Sequence, residues 1–220
     1  MTSRPFLPKY ASNSEIIVWL DADTWVQSWH PLNDLVCAAS SGELAIAEEP
    51  FGAGLEWTLM TPNGAYDIRS SPDQSRAYAR RYYEQCFGPE VAAAYGDLPM
   101  FNSGVFALRA DSPTWAVWRD ILSDGLRGGF NKLVEQQALC IAIRQGRMPV
   151  ALQSQKANFV CAHGLPWFDP DSGKFTLPEK RDGLIGIVHL ATLKRIPVAP
   201  VPTFPHGDRV AMSLRFREEF

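Results

Sequence analysis

Glu15-Ile16-Ile17-Val18-Trp19-Leu20-Asp21-Ala22-Asp23-Thr24-Trp25-Val26 decides how the rest of the chain is read. Ile16 to Leu20 form an unbroken apolar run rich in β-branched side chains, which predicts a strand buried on both faces. The run stops at two carboxylates one residue apart. An unpaired carboxylate carried to the rim of a core costs several kcal/mol, roughly, so a strand that ends this way needs a partner for its charge. In an extended chain residues i and i+2 share a face, which sends Asp21 and Asp23 the same way. A hard cation such as Mn²⁺ or Mg²⁺ takes oxygen ligands and leaves positions open for phosphate. The alternative for an isolated Asp-x-Asp is a capping Asp21 and a solvated Asp23.

Composition narrows the classes. At 220 residues and 46% hydrophobic content, the chain suffices for one domain with a real core. Its net charge is −3 and its pI about 5.8. With no basic block, the attraction that general nucleic-acid binding requires is missing. No stretch approaches the roughly 20 apolar residues of a membrane span, and no apolar run of signal length follows Met1, so the expected location is the cytoplasm. Cys37, Cys86, Cys140 and Cys161 include no Cys-x-x-Cys pair and read as reduced core residues rather than zinc ligands or disulfides.

Outward from the first strand, Leu32, Leu35, Val36 and Ala39 mark one face of a helix over 32–41. A strand is expected over 43–49, closed by Pro50, and then a long loop over 51–72, the candidate acceptor-facing wall. A tyrosine-bearing helix follows over 73–86. The apolar Val105 to Leu108 predict another buried strand, entered through Asn102-Ser103-Gly104, small polar residues that let backbone approach a ligand. Trp115, Trp118, Ile121 and Leu122 line the apolar face of a helix begun by Asp111-Ser112-Pro113, and Asn131 caps a helix over 132–144 that Gly146 ends. Glu135-Gln136 near its start reads as a solvated, dipole-friendly pair on composition alone. A short strand over 149–152 precedes Lys156-Ala157-Asn158 and a loop over 161–178, in which Asp169-Pro170-Asp171 reads as a turn. The last buried strand, 184–190, ends in His189 as the first ends in aspartates. A lone His on such a strand is commonly a hydrogen-bonded core residue, but imidazole is also a good third metal ligand. Two strands of one sheet bring their carboxyl ends to one crevice.

Taken in order, Leu20-Asp21-Ala22-Asp23-Thr24, Phe101-Asn102-Ser103-Gly104-Val105, Glu135-Gln136 and the strand ending in His189 resemble the motifs of GT-A-type nucleotide-sugar glycosyltransferases, the group of glycogenin and bacterial galactosyltransferases. Pro5 to Tyr10 is similar to the segment preceding the group's metal strand. The resemblance implies an α/β fold, a GT-A-like mixed sheet flanked by helices, with 1–197 as one domain and 198–220 as a proline-rich arm. It implies that Asp21, Asp23 and His189 hold Mn²⁺ (or Mg²⁺), and that Asn102 and Ser103 line the donor-sugar pocket. Lys194 or Arg195 meets the diphosphate, and Glu135 and Gln136 are the catalytic candidates reaching the sugars.

Departures are visible. The group has Asp where Glu135 stands, Gly where Thr192 stands, Lys where Arg195 stands and Pro-Trp where Ile196-Pro197 stand. Its nucleotide-binding units before the metal strand have no counterpart here, so the expectation is one of three: a fragment, a nucleotide half supplied from elsewhere, or a fold truncated at the N-terminus. The first strand would then have one apolar edge unpaired, and an oligomer would form if that edge is covered. The implied activity is a retaining, metal-dependent transfer of a hexose from a nucleoside diphosphate sugar to a hydroxyl acceptor, a sugar or a protein. Two alternatives stand beside it: a non-catalytic remnant or partner subunit of the same fold, and a haloacid-dehalogenase-like phosphatase, whose first motif is also Asp-x-Asp after a buried strand.

Overall fold

A computed structural model describes residues 2–11, 13–49, 55–61 and 64–216, with side chains left out for 55–61, 64–70 and residue 192. The chain is a mixed α/β fold whose sheets combine parallel and antiparallel strands and are flanked by helices. The first strand, β1 (Ile16–Leu20), turns into β2 (Thr24–Val26), which leads to helix α1 (His30–Ser40) and strand β3 (Leu44–Glu48). A hairpin follows, β4 (Leu55–Thr61) and β5 (Gly64–Ser70), paired antiparallel. The candidate acceptor wall was expected as loop over 51–72; its described part is this hairpin and the start of the next helix at Ser71 and Pro72, and 51–54 and 62–63 lie outside the described residues.

Helix α2 (Pro72–Phe87) opens on a capping box, in which the Ser71 hydroxyl accepts from the Gln74 backbone and the Gln74 side chain accepts from Ser71. Helix α3 (Pro89–Tyr95) leads to β6 (Phe101–Arg109), and α4 (Thr114–Gly128) and α5 (Val134–Arg144) come next. Asn131 does not cap the helix expected over 132–144: α5 starts at Val134 with Leu133 as its N-cap and no side-chain cap, and Asn131 Oδ1 accepts from the Leu133 backbone at 2.8 Å in the turn before it. Past α5 the chain turns at Gly146, whose φ of 69° is left-handed and suits a residue without Cβ. Strands β7 (Val150–Gln153), β8 (Phe159–Val160), β9 (Trp167–Asp169), β10 (Lys174–Thr176) and β11 (Ile187–His189) are short, and β12 (Ala199–Thr203) and β13 (Asp208–Met212) close the fold.

The central sheet runs β1-β6-β3-β7, with β1 and β3 antiparallel to β6 and β7 parallel to β3. Alternation along β6 assigns its two faces. Phe106 and Leu108 pack with Trp115, Trp118, Leu122 and Leu139 of α4 and α5, whereas Val105 and Ala107 pack with Leu35 and Ala39 of α1. The result is helix, sheet, helix. A second sheet, β2-β11-β8, carries His189, and a third, β10-β9-β12-β13, covers a separate apolar cluster that includes Phe175, Val188 and Val201.

Several expectations change. Only Ile17 of β1 is buried and its other residues are half-buried, because β1 is an edge strand whose outer side pairs with no described strand. Asn102, Ser103 and Gly104 lie inside β6 rather than before it. The loop expected over 161–178 contains the β9–β10 hairpin, with Asp169 and Asp171 at its turn, both paired to Arg181. The stretch after Pro197 is not loose chain: Ala199 and Val201 are buried, and β12 pairs with both β13 and β9. Cys86, Cys140 and Cys161 are buried free thiols, and Cys37 is exposed. No described helix is long and apolar enough to cross a membrane.

Candidate metal centre and cavity

Backbone hydrogen bonds fix the turn that carries the two aspartates. The Asp21 amide donates to the Gly104 carbonyl at 2.8 Å, and the Thr24 amide and hydroxyl donate to the Asp21 carbonyl at 3.0 and 2.7 Å. Asp21-Ala22-Asp23 is therefore a turn between two sheets, and the shared face of an extended strand is not what aligns the carboxylates. His189 also belongs to a different sheet from β1. What joins them is β2, whose Thr24 pairs with His189 across an antiparallel ladder, while the Leu190 amide donates to the Asp23 carbonyl at 2.9 Å. One ligand atom from each of Asp21, Asp23 and His189 comes within 4.8 Å of the others.

Each of the three side chains has its remaining polar atom engaged, and the atoms left over face one another. Asp21 Oδ1 accepts from Trp19 Nε1 at 2.7 Å and from the Arg4 guanidinium at 2.5 Å, leaving Oδ2 free. Asp23 Oδ2 accepts from Lys194 Nζ at 2.9 Å, and its Oδ1 lies 3.5 Å from His189 Nε2. Nδ1 of His189 is 3.1 Å from Asn158 Oδ1, while Asn158 Nδ2 donates to Asn102 Oδ1 at 2.9 Å. That chain makes Asn158 Oδ1 an acceptor, so His189 carries its proton on Nδ1 and turns the Nε2 lone pair toward Asp23. Burial lowers the His189 pKa against the pull of Asp23 and Asp21, which favours the neutral ring a metal requires.

Two carboxylate oxygens and a neutral imidazole nitrogen suit Mn²⁺, and the incomplete set leaves positions for water or phosphate oxygens. Gly104 gives the site its space: a Cβ there would lie 2.5 Å from His189 Cε1 and 3.0 Å from Asp21 Oδ2. Removing the support of the imidazole should be felt at the ion. Asn158→Ala is expected to weaken Mn²⁺ binding by about tenfold with the fold intact, read by calorimetry beside a thermal melt. An unchanged dissociation constant would mean that Asn158 does not orient the ring.

Asp21 and His189 open on a cavity of about 470 Å³, within the range of ligand pockets, whose wall does not include Asp23. Asp21, Asn102, Gly104, Gln136 and His189 line it, together with Glu49 and His163. Glu49 Oε1 accepts from Asn102 Nδ2 and from Gln136 Nε2, the latter at 3.2 Å, and its Oε2 is 3.4 Å from His163 Nε2. Burial alone would raise the Glu49 pKa, but His163 and the two amides hold it below the ordinary value. Ser103 is buried and donates to Gln136 Oε1 at 3.3 Å. Arg195 is exposed and outside the cavity wall.

Glu135 is the sequence candidate with the most altered setting. It is 2% exposed, is absent from the cavity wall, and accepts from the Arg4 guanidinium and, at 3.2 Å, from the Arg4 amide. Burial raises its pKa although Arg4 pulls the other way. Arg4 thus bridges Glu135 to Asp21, a role that a lone charge near the terminus does not advertise. Its signal was indirect: a carboxylate at the rim of a core demands a partner, and Asp21 has one before any ion is considered. Glu49 carries the same signature as Asp21, an acid just past an apolar strand.

Comparison with known proteins gives little to add to this geometry. No family model matches the chain, and no curated protein matches it. A crystal structure of mouse xyloside xylosyltransferase 1 in its apo form is similar, with a TM-score of 0.44 and 14% sequence identity, over 85% of this chain and 61% of that one. The chain thus spans less than two thirds of that protein.

Proposed function

We propose that the chain is a metal-dependent glycosyltransferase that moves a hexose from a nucleoside diphosphate sugar to a hydroxyl acceptor, a sugar or a protein, with retention of anomeric configuration. The observation that carries this reading is the convergence of Asp21, Asp23 and His189, each with its other polar atom already held, beside a ligand-sized cavity that Asp21 and His189 line. When bound there, Mn²⁺ or Mg²⁺ supplies positive charge that offsets the negative charge building on a diphosphate leaving group.

The chain's own residues have distinct parts in this proposal. Lys194, anchored on Asp23 and otherwise half exposed, offers a cation to a diphosphate oxygen, with Arg195 next to it. Asn102 and Gln136 present amides to the sugar, with Ser103 holding Gln136 from behind. Glu135 positions Arg4, which in turn fixes Asp21.

Calorimetry of the purified chain with MnCl₂, followed by UDP-glucose, UDP-galactose and GDP-mannose in its presence, tests the reading. The expected result is saturable Mn²⁺ binding, donor binding that depends on Mn²⁺, and slow release of nucleoside diphosphate. Absence of Mn²⁺ binding would overturn it. Mn²⁺ binding with no response to any donor would favour the partner-subunit alternative.

A further inference from the structure

Part of the cavity wall is built by residues outside the triad. Gln74 and Tyr78 of α2 form part of its wall, with Lys132 just before α5. Tyr78 is 42% exposed and backed by Tyr82, their ring centroids 4.3 Å apart at 37°. The Lys132 ammonium lies 5.7 Å from the Tyr78 ring centroid. A part-exposed ring supported by a second tyrosine suits the apolar face of a sugar, and it loses little freedom on doing so.

Charge distinguishes this part of the wall. The acids lining the cavity already have partners: Asp21 has Arg4 and Trp19, and Glu49 has Asn102, Gln136 and His163. Among the described residues no carboxylate pairs with Lys132. The Lys132 ammonium is held by the neutral Tyr78 hydroxyl, so a ligand seated against Tyr78 meets a cation with no carboxylate beside it among the described residues.

We propose that the α2 wall of the cavity is the acceptor subsite and takes a pyranose carrying an anionic group, its ring on Tyr78 and its anion at Lys132. This rests on the glycosyl-transfer reading for the word acceptor, but the binding itself does not depend on turnover. Candidate anions are a carboxylate or a phosphate.

Titration without metal, at fixed low salt, of methyl β-glucuronide, glucose 6-phosphate and the neutral methyl β-glucoside separates the cases. At least one anionic probe should bind more tightly than the neutral one, and which one binds identifies the anion. Lys132→Gln should cut that preference by about threefold to fivefold, the size of a part-exposed ion pair. Tyr78→Ala should weaken all binding probes by about tenfold, and Tyr78→Phe, which keeps the ring, should restore it. Equal binding of charged and neutral probes, no effect of Lys132→Gln, or no saturable binding would each overturn the proposal. Glycoside binding that follows these variants while Mn²⁺ binding and donor turnover are absent would uphold the sugar site and overturn the transfer reading alone.

Discussion

His189→Ala is expected to abolish the proposed Mn²⁺ binding, a loss of at least about a hundredfold. The lower bound follows from the ligand count. Altering a group that merely supports a ligand weakens metal sites by about 10–100-fold, and here one of the three proposed ligands disappears. His189 is 5% exposed and its Nδ1 engages Asn158, so the substitution also leaves an acceptor unmet and a small void. A folding effect is separated by His189→Gln, which keeps a polar side chain in place, and by Asp23→Asn, which changes charge at nearly constant volume. All three variants should lose the ion, although their urea midpoints need not move together. Retention of wild-type affinity by any two of them would remove the triad as the metal site.

Arg4→Ala is expected to destabilise the fold by about 3–5 kcal/mol at neutral pH, because it strands the Glu135 carboxylate in the core. Glu135 has no other cation within salt-bridge distance among the described residues, and Asp21 loses a charged donor in the same step. The pH dependence gives the expectation a sign. Burial already places the Glu135 pKa above its unfolded value despite Arg4, so the native state binds the proton more readily than the unfolded chain. Its contribution to stability is thus fullest below the unfolded pKa and is lost as pH rises through the folded one. Without Arg4 the folded pKa climbs further, and the variant's deficit should be smaller at pH 5 than at pH 8. Urea unfolding at both values reads this directly. A deficit that is constant with pH would mean that Glu135 is not the stranded group, and Arg4→Met with Glu135→Leu should recover much of the loss by replacing the pair with apolar packing.

The sequence made the members of the candidate metal site readable because a charge at the end of an apolar strand is an anomaly, and anomalies stand out. It could not show why they meet. β2 is three residues long, too short for any periodic signal, yet its pairing with β11 places Asp23 beside His189. The helices α1, α4 and α5 were legible from spacing, since each buries one face against the central sheet. The stretch after Pro197 was not, because Pro200 and Pro202 argue against a strand. β12 tolerates them: β9 meets it at Thr203 alone, so few ladder bonds are asked of it on that side. Glu49, His163, Tyr78 and Lys132 were passed over for a common reason. Each becomes distinctive only when elements distant in the chain close around one cavity.

The aspartate turn is the hinge pin between two sheets that share no strand. Asp21 is tied to β6 through the Gly104 carbonyl, whereas Asp23 is tied to the chain just past β11 through the Leu190 amide. An ion clasped by both aspartates and His189 would rivet one layer to the other. Resistance to unfolding then becomes a function of free metal, gaining about 2.7 kcal/mol at a hundred times the dissociation constant, and a chelator would loosen the molecule at that seam first.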